Sequence, residues 1–158
     1  MVRDWHAPIP ALLATTDPAT VQRHPVEDLA RPLASYRRGR VVLLGDAAHA
    51  MTPDLGQGAN QALEDAAELT AHLAPLVGSP EPRFLEAALE AYDACRRPRS
   101  QQIAARARQV GRLAQASGRL GATLSDTLLR IAPDSAATRQ SLTVQDWTPP
   151  RIPVPARL

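Results

Sequence analysis

Asp46 stands where a carboxylate can do chemistry. It follows Val41, Val42, Leu43, Leu44 and Gly45 in GRVVLLGDAAHAMTPDLGQGANQALEDAAELTAHLAPL, residues 39–76. Four consecutive apolar residues of strand-forming type read as a short strand buried on both faces. In open α/β sheets, ligands bind outside the carboxyl ends of the strands. A carboxylate placed there can accept hydrogen bonds from ligand hydroxyls. A loop carrying Pro53, Gly56 and Gly58 comes next, and a helix opens near Ala59. Glycine lets the backbone approach a flat or charged ligand, because no Cβ intrudes. The free N–H groups of a first helical turn favour an anionic or electron-rich group. Together these parts suit a ligand with hydroxyls and an electron-rich polar edge.

The neighbouring polar residues read more plainly. GQGANQ is not a dinucleotide fingerprint: Gln61 takes the third glycine position, and the gap from Leu44 to Gly56 is too long for a tight turn. His49 reads as a structural histidine, because no second His, Cys or acidic cluster completes a metal site. No metal is expected. Asp54, Glu64, Asp65 and Glu68 read as a solvated helix face and as dipole partners in the first turn.

The elements that must position Asp46 and the loop follow from periodicity. Apolar residues at Ala59, Leu63, Ala66, Leu69, Leu73 and Leu76 recur every three to four positions, predicting a helix to about Leu76 with that face buried. Val77-Gly78-Ser79-Pro80 ends it. A second helix opens at Glu81-Pro82, with Leu85, Leu89, Tyr92 and Cys95 as its stripe and Cys95 as a small buried hydrophobe. Pro98 should kink or interrupt it. The pattern resumes at Ile103, Ala107, Val110 and Ala114, and further helices are expected over residues 120–131 and 135–142. Upstream, residues 1–22 suit one or two short helices, with Asp17 before Pro18 as a helix start. Residues 21–29 are a second, weaker strand candidate. The tail from Trp147 carries four prolines and is expected to be extended or disordered. The chain divides into residues 1–38, 39–77, 80–145 and a Pro-rich tail, 146–158.

Composition bounds the rest. The 158 residues suffice for one domain, and 44% are hydrophobic. Only 3% are aromatic and much of the apolar count is alanine, so the area available for burial is modest. No lysine occurs, so all 18 basic residues are arginine, and the net charge is +2. The cluster at Arg96, Arg97, Arg99, Arg106, Arg108 and Arg112 reads as a solvated helix face rather than a nucleic-acid surface, since no recognition motif accompanies it. A single cysteine cannot form an internal disulfide. Without a signal-like start or a long apolar run, the expected location is cytoplasmic, with no membrane span.

GDAAHAMTPDLGQGANQALEDA resembles the second flavin-binding motif of the FAD-dependent aromatic hydroxylases, the family of para-hydroxybenzoate hydroxylase, salicylate hydroxylase and the zeaxanthin epoxidase-like monooxygenases. The resemblance implies that Asp46 holds the ribityl chain of FAD and that Pro53 lies near the flavin ring on the substrate side. It also implies that the loop and helix start, Gly56, Gln57, Gly58, Ala59 and Asn60, carry the flavin, with the N–H groups of Ala59 and Asn60 toward its O2/N1 edge. Such donors stabilise negative charge on a reduced ring. Trp5-His6-Ala7-Pro8-Ile9-Pro10 is similar to the segment before the last substrate-domain strand. Tyr92, Arg96, Pro98 and Arg99 match a Y-x-x-x-R-x-P-R feature whose role in the family is structural.

Two parts of the family pattern do not occur in these residues: G-x-G-x-x-G, which holds the ADP half of FAD, and the Asp-Gly nucleotide motif. The fold class expected is therefore an α/β fragment, mostly helical. It would be the C-terminal portion of an FAD/NAD(P)-binding Rossmann-like fold, with a buried strand at about 40–45, the weaker strand at 21–29 and several helices. The function implied is NAD(P)H-driven hydroxylation or epoxidation of an aromatic or unsaturated small molecule through a flavin hydroperoxide. The partner implied is an N-terminal FAD-binding half, in cis or in trans. The alternatives are an inactive remnant or helical interaction module and, among flavoproteins, a halogenase or reductase of related fold.

Overall fold

The computed structural model describes residues 5–78, 81–115 and 146–152. Helix α1 is Ile9–Thr15, with a proline in its first turn, where the missing N–H costs nothing. A 3-10 turn, Pro18–Thr20, follows. Asp17 starts it as the sequence predicts, its carboxylate accepting the Ala19 N–H at 2.9 Å. The strand expected over 21–29 does not form. Pro25 has no N–H to give a ladder, and residues 21–27 are exposed. Among the described residues this segment is tied down at its end, where the Leu29 N–H donates to the Ala50 carbonyl at 3.1 Å and Arg108 Nε donates to Asp28 Oδ2 at 2.6 Å.

The central strand is also shorter and less buried than its apolar run predicts. Strands β1 (Arg37–Arg38) and β2 (Val41–Val42) form an antiparallel pair, Arg37 opposite Val42 and Arg38 opposite Val41. Gly39, at φ +59°, takes the first position of the two-residue turn, a geometry that glycine supplies without strain. The Leu43 N–H extends the pairing to the Tyr36 carbonyl at 2.7 Å. A local hairpin thus replaces the doubly covered strand, and Val41 is left 65% exposed.

Helix α2 (Asp46–His49), a 3-10 turn (Pro53–Leu55), helix α3 (Gly58–Leu73), a second 3-10 turn (Ala74–Leu76) and helix α4 (Pro82–Ala114) complete the described elements. Helix α4 continues through Pro98 without interruption. Pro98 and Ala94, the residue whose carbonyl loses its N–H partner, both lie on the exposed side, where water can serve that carbonyl. The helices expected over 120–131 and 135–142 lie outside the described residues.

Helix α3 packs on α4, and α4 buries one continuous stripe: Leu89, Tyr92, Arg96, Ser100, Ile103, Ala107 and Gly111. Spacings of three and four keep that stripe on one face. Tyr36, Ala48 and Tyr92 form the apolar centre, with Leu33, Val42, Leu43 and Leu69 against it. On the first half of α3 the expected burial is inverted, while Leu69 packs against the apolar centre as expected. Ala59, Leu63 and Ala66 are exposed, Leu63 to 70%, while the buried residues are Gln61, Glu64 and Asp65. Cys95, expected in the core, is exposed. Among the described residues, no helix is long and apolar enough to cross a membrane, and no group of three or more His, Cys, Asp or Glu could hold a metal ion.

Candidate functional site

The inversion on α3 has one cause, the fully buried guanidinium of Arg96 on the facing helix. Its Nε donates to Asp65 Oδ1 at 2.7 Å, its Nη1 to Glu64 Oε2 at 2.6 Å and its Nη2 to Gln61 Oε1 at 2.8 Å. Gln61 returns a bond to Glu64 Oε1 at 2.9 Å. Arg99 closes the other side of Glu64, donating at 2.7 and 3.0 Å. Two arginines thus face two carboxylates, and the buried charges balance. The solvated face expected for Arg96, Glu64 and Asp65 is in fact the polar centre of the helix pair. Burial works against ionising Glu64, but Arg99 and Arg96 outweigh it and hold the carboxyl below its ordinary range. Burial likewise works against Asp65, and bonds from His49, Arg96 and the Gly45 N–H outweigh it.

Asp65 carries this rigidity to the segment around Asp46. Its Oδ2 accepts the Gly45 N–H at 2.8 Å and the His49 ring at Nε2 at 2.6 Å. An ionised carboxylate only accepts, so Nε2 carries the proton. His49 is buried, and its Nδ1 has no partner among the described residues. Gly45 stands at φ +59°, a conformation that other residues rarely adopt, with the point where a Cβ would sit 3.3 Å from Ala62. The chain therefore turns sharply out of β2 into α2. Asp46 becomes the first residue of α2, exposed, while Ala48 and His49 point into the core.

Asp46 and the start of α3 come together in space. Asp46 Oδ1 lies 4.0 Å from the point where a Cβ on Gly58 would sit. No side chain caps α3. Its first N–H groups, at Gly58, Ala59 and Asn60, have no carbonyl within the helix to bind. Gln57 precedes the helix and accepts from Asn60 Nδ2 at 3.3 Å, so these two side chains engage each other. Pro53 is exposed at the head of its 3-10 turn, which closes with the Gly56 N–H on the Pro53 carbonyl at 2.8 Å. The result is an open surface with an acceptor carboxylate on one side, helix-start donors on the other and no Cβ between them.

The Y-x-x-x-R-x-P-R residues supply the frame. The Tyr92 hydroxyl donates to the Leu43 carbonyl at 3.2 Å. Burial pushes the Tyr92 and Tyr36 phenols up, keeping both neutral. Tyr36 OH and Ser100 Oγ are 2.7 Å apart. Gln61, Glu64 and Asp65 are the site residues that sequence reasoning missed. The signal was present in Glu64-Asp65 on one amphipathic helix and Arg96 and Arg99 on the next.

Comparison with known proteins shows the family. Residues 4–107 match the model of the family described as FAD binding domain, and the chain belongs to that family. Its relatives are FAD-dependent monooxygenases and hydroxylases. The aurachin C monooxygenase/isomerase of Stigmatella aurantiaca is 36% identical over 141 residues, covering 87% of this chain and 35% of that enzyme. The FAD-dependent urate hydroxylase of Klebsiella pneumoniae subsp. pneumoniae is 40% identical over 105 residues, 66% of this chain and 26% of that enzyme. Among solved structures, Klebsiella pneumoniae HpxO complexed with FAD and uric acid superposes with a TM-score of 0.72 at 31% identity, covering 89% of this chain and 34% of that one. The chain thus spans 26 to 35% of the length of these relatives.

Proposed function

We propose that residues 39–66 hold the ribityl chain and ring edge of FAD in an FAD-dependent monooxygenase acting on an aromatic or unsaturated small molecule. The observation that carries this reading is the exposed Asp46 carboxylate beside the uncapped start of α3, 4.0 Å from the Cβ position of Gly58. The donor set fits the cofactor: one acceptor for ribityl hydroxyls, and a row of N–H donors for an electron-rich edge. Asp46, Gly56, Gln57, Gly58, Ala59 and Asn60 would hold the flavin, with Pro53 on the substrate side. Bound FAD supplies the redox chemistry, accepting electrons from NAD(P)H and using them to activate O2. The chain's own part is orientation and electrostatics. The N–H groups of the first α3 turn stabilise negative charge at the ring edge, and they are preorganised because Arg96 and Asp65 fix the helix behind them. Contacts to the ADP half come from an N-terminal FAD-binding half, in cis or in trans.

The test is a titration of residues 1–158 with riboflavin, FAD and ADP, read by flavin fluorescence. Riboflavin and FAD should bind with similar affinity, because both carry the ribityl chain and ring, and ADP should not compete. Displacement of FAD by ADP, or no binding of riboflavin at millimolar concentration, overturns the reading.

A further inference from the structure

We propose that Gly111, near the end of α4, is a positioning residue for the loop that carries Pro53 and Gly56, and that it acts through Asp54. This rests on the flavin-site reading above. Gly111 lies in the last turn of α4 and in its buried stripe, where glycine is a poorer helix former than alanine, so its place there calls for a packing reason. The reason is Asp54. The point where a Cβ on Gly111 would sit is 2.8 Å from Asp54 Cγ and 3.0 Å from Oδ1, with Oδ2 closer still. Only a residue without a side chain lets the carboxylate lie on the helix in this way.

The 3-10 turn Pro53–Leu55 is therefore seated directly on α4, one of the larger contacts that α4 makes. Asp54 Oδ2 is buried with no hydrogen-bond partner among the described residues, so packing against Gly111 rather than a hydrogen bond holds this oxygen. The neighbouring Thr52 Oγ1 is in the same condition. A cavity of about 430 Å³, lined in part by Thr52, Asp54, Arg108 and Arg112, flanks the contact. Displacement would travel along the turn, because the Gly56 N–H is bonded to the Pro53 carbonyl at 2.8 Å. Two residues later the chain enters α3 at Gly58. Helix α4 thus fixes the loop from both sides: Arg96 and Arg99 grip the start of α3, and Gly111 seats the turn before it.

The experiment compares Gly111→Ala, Asp54→Ala and the double variant for riboflavin affinity, flavin absorbance on binding, and thermal melting. Gly111→Ala should weaken riboflavin about tenfold, the loss of one well-aligned hydrogen bond, and should shift the bound-flavin absorbance. In the Asp54→Ala background the same change should have little effect on affinity, because the clashing carboxylate is gone, and the absorbance should return. If wild type binds riboflavin and Gly111→Ala binds it equally well, the positioning role is wrong while the flavin site stands. An equal loss in both backgrounds also overturns it, since the effect would not pass through Asp54. If wild type itself binds no riboflavin, the flavin-site reading fails and the positioning role with it.

Discussion

At Gly58, an added Cβ would meet its nearest neighbours, Asp46 Oδ1 and Met51 Cγ, at 4.0 Å, ordinary contact distance. The protein has room for a side chain there, and the proposed ligand does not. Gly58→Val should therefore leave stability within about 1 kcal/mol, since glycine is itself a poor helix residue. Riboflavin affinity should fall at the same time. A flavin affinity equal to wild type, or a loss matched by a fall in melting temperature, would argue against close backbone approach at this point. Asp46 and Gly58 are legible in the sequence because their context is local: a short apolar run, a turn glycine and a helix start within a few residues of each other. Asp65 is not legible in that way. Its partner Arg96 lies 31 positions further on, and whether an acidic residue faces water or core depends on which cation meets it.

The α3–α4 pair is held by charge as much as by apolar area. Arg96→Leu would strand Asp65 and Glu64 in a site built for a cation, at a cost of about 3–5 kcal/mol. Urea unfolding should reveal that loss, and a change below about 1 kcal/mol would mean that water replaces the guanidinium. The same carboxylates set the acid limit. Both are held below their ordinary values of 4.5 for Glu64 and 3.8 for Asp65. Their stabilising contribution is thus fully present above those values and is lost as pH falls through the lower folded ones. Melting followed against pH should be flat above about pH 5 with respect to these groups and should fall steeply below about pH 4. The stripe of α4 was partly legible, with Leu89, Tyr92, Ile103 and Ala107 found by periodicity. Arg96, Ser100 and Gly111 continue the same spacing but were hidden by their residue types.

For the molecule as a whole, the apolar surface left uncovered matters most. Helix α1 has no buried residue, and Trp5, Leu12, Leu13, Val41, Leu44 and Leu63 are exposed large hydrophobics. Among the described residues, the two-stranded hairpin also leaves its strand edges unpaired. Exposed apolar groups of this number favour association. Sedimentation velocity on residues 1–158 should show a mass that rises with concentration, and a monomer at all concentrations would mean these faces are tolerated singly. The helix-rich character of the chain was legible from periodicity. The strand content was not, because a strand's pairing depends on what lies beside it, and here the available neighbour is the adjacent Arg37–Arg38 segment rather than a parallel strand.

The most direct measurement is the amide shift map of the nitrogen-15-labelled chain on adding riboflavin, which reads weak binding residue by residue. The amides of Gly45, Asp46, Gly56, Gln57, Gly58, Ala59 and Asn60 should move together on one saturation curve. Asp46→Ala should weaken that curve by about 1.5–3 kcal/mol, the worth of a hydrogen bond to a charged group. Shifts confined to other parts of the chain, or a curve unchanged by Asp46→Ala, would contradict a flavin site at the start of α3.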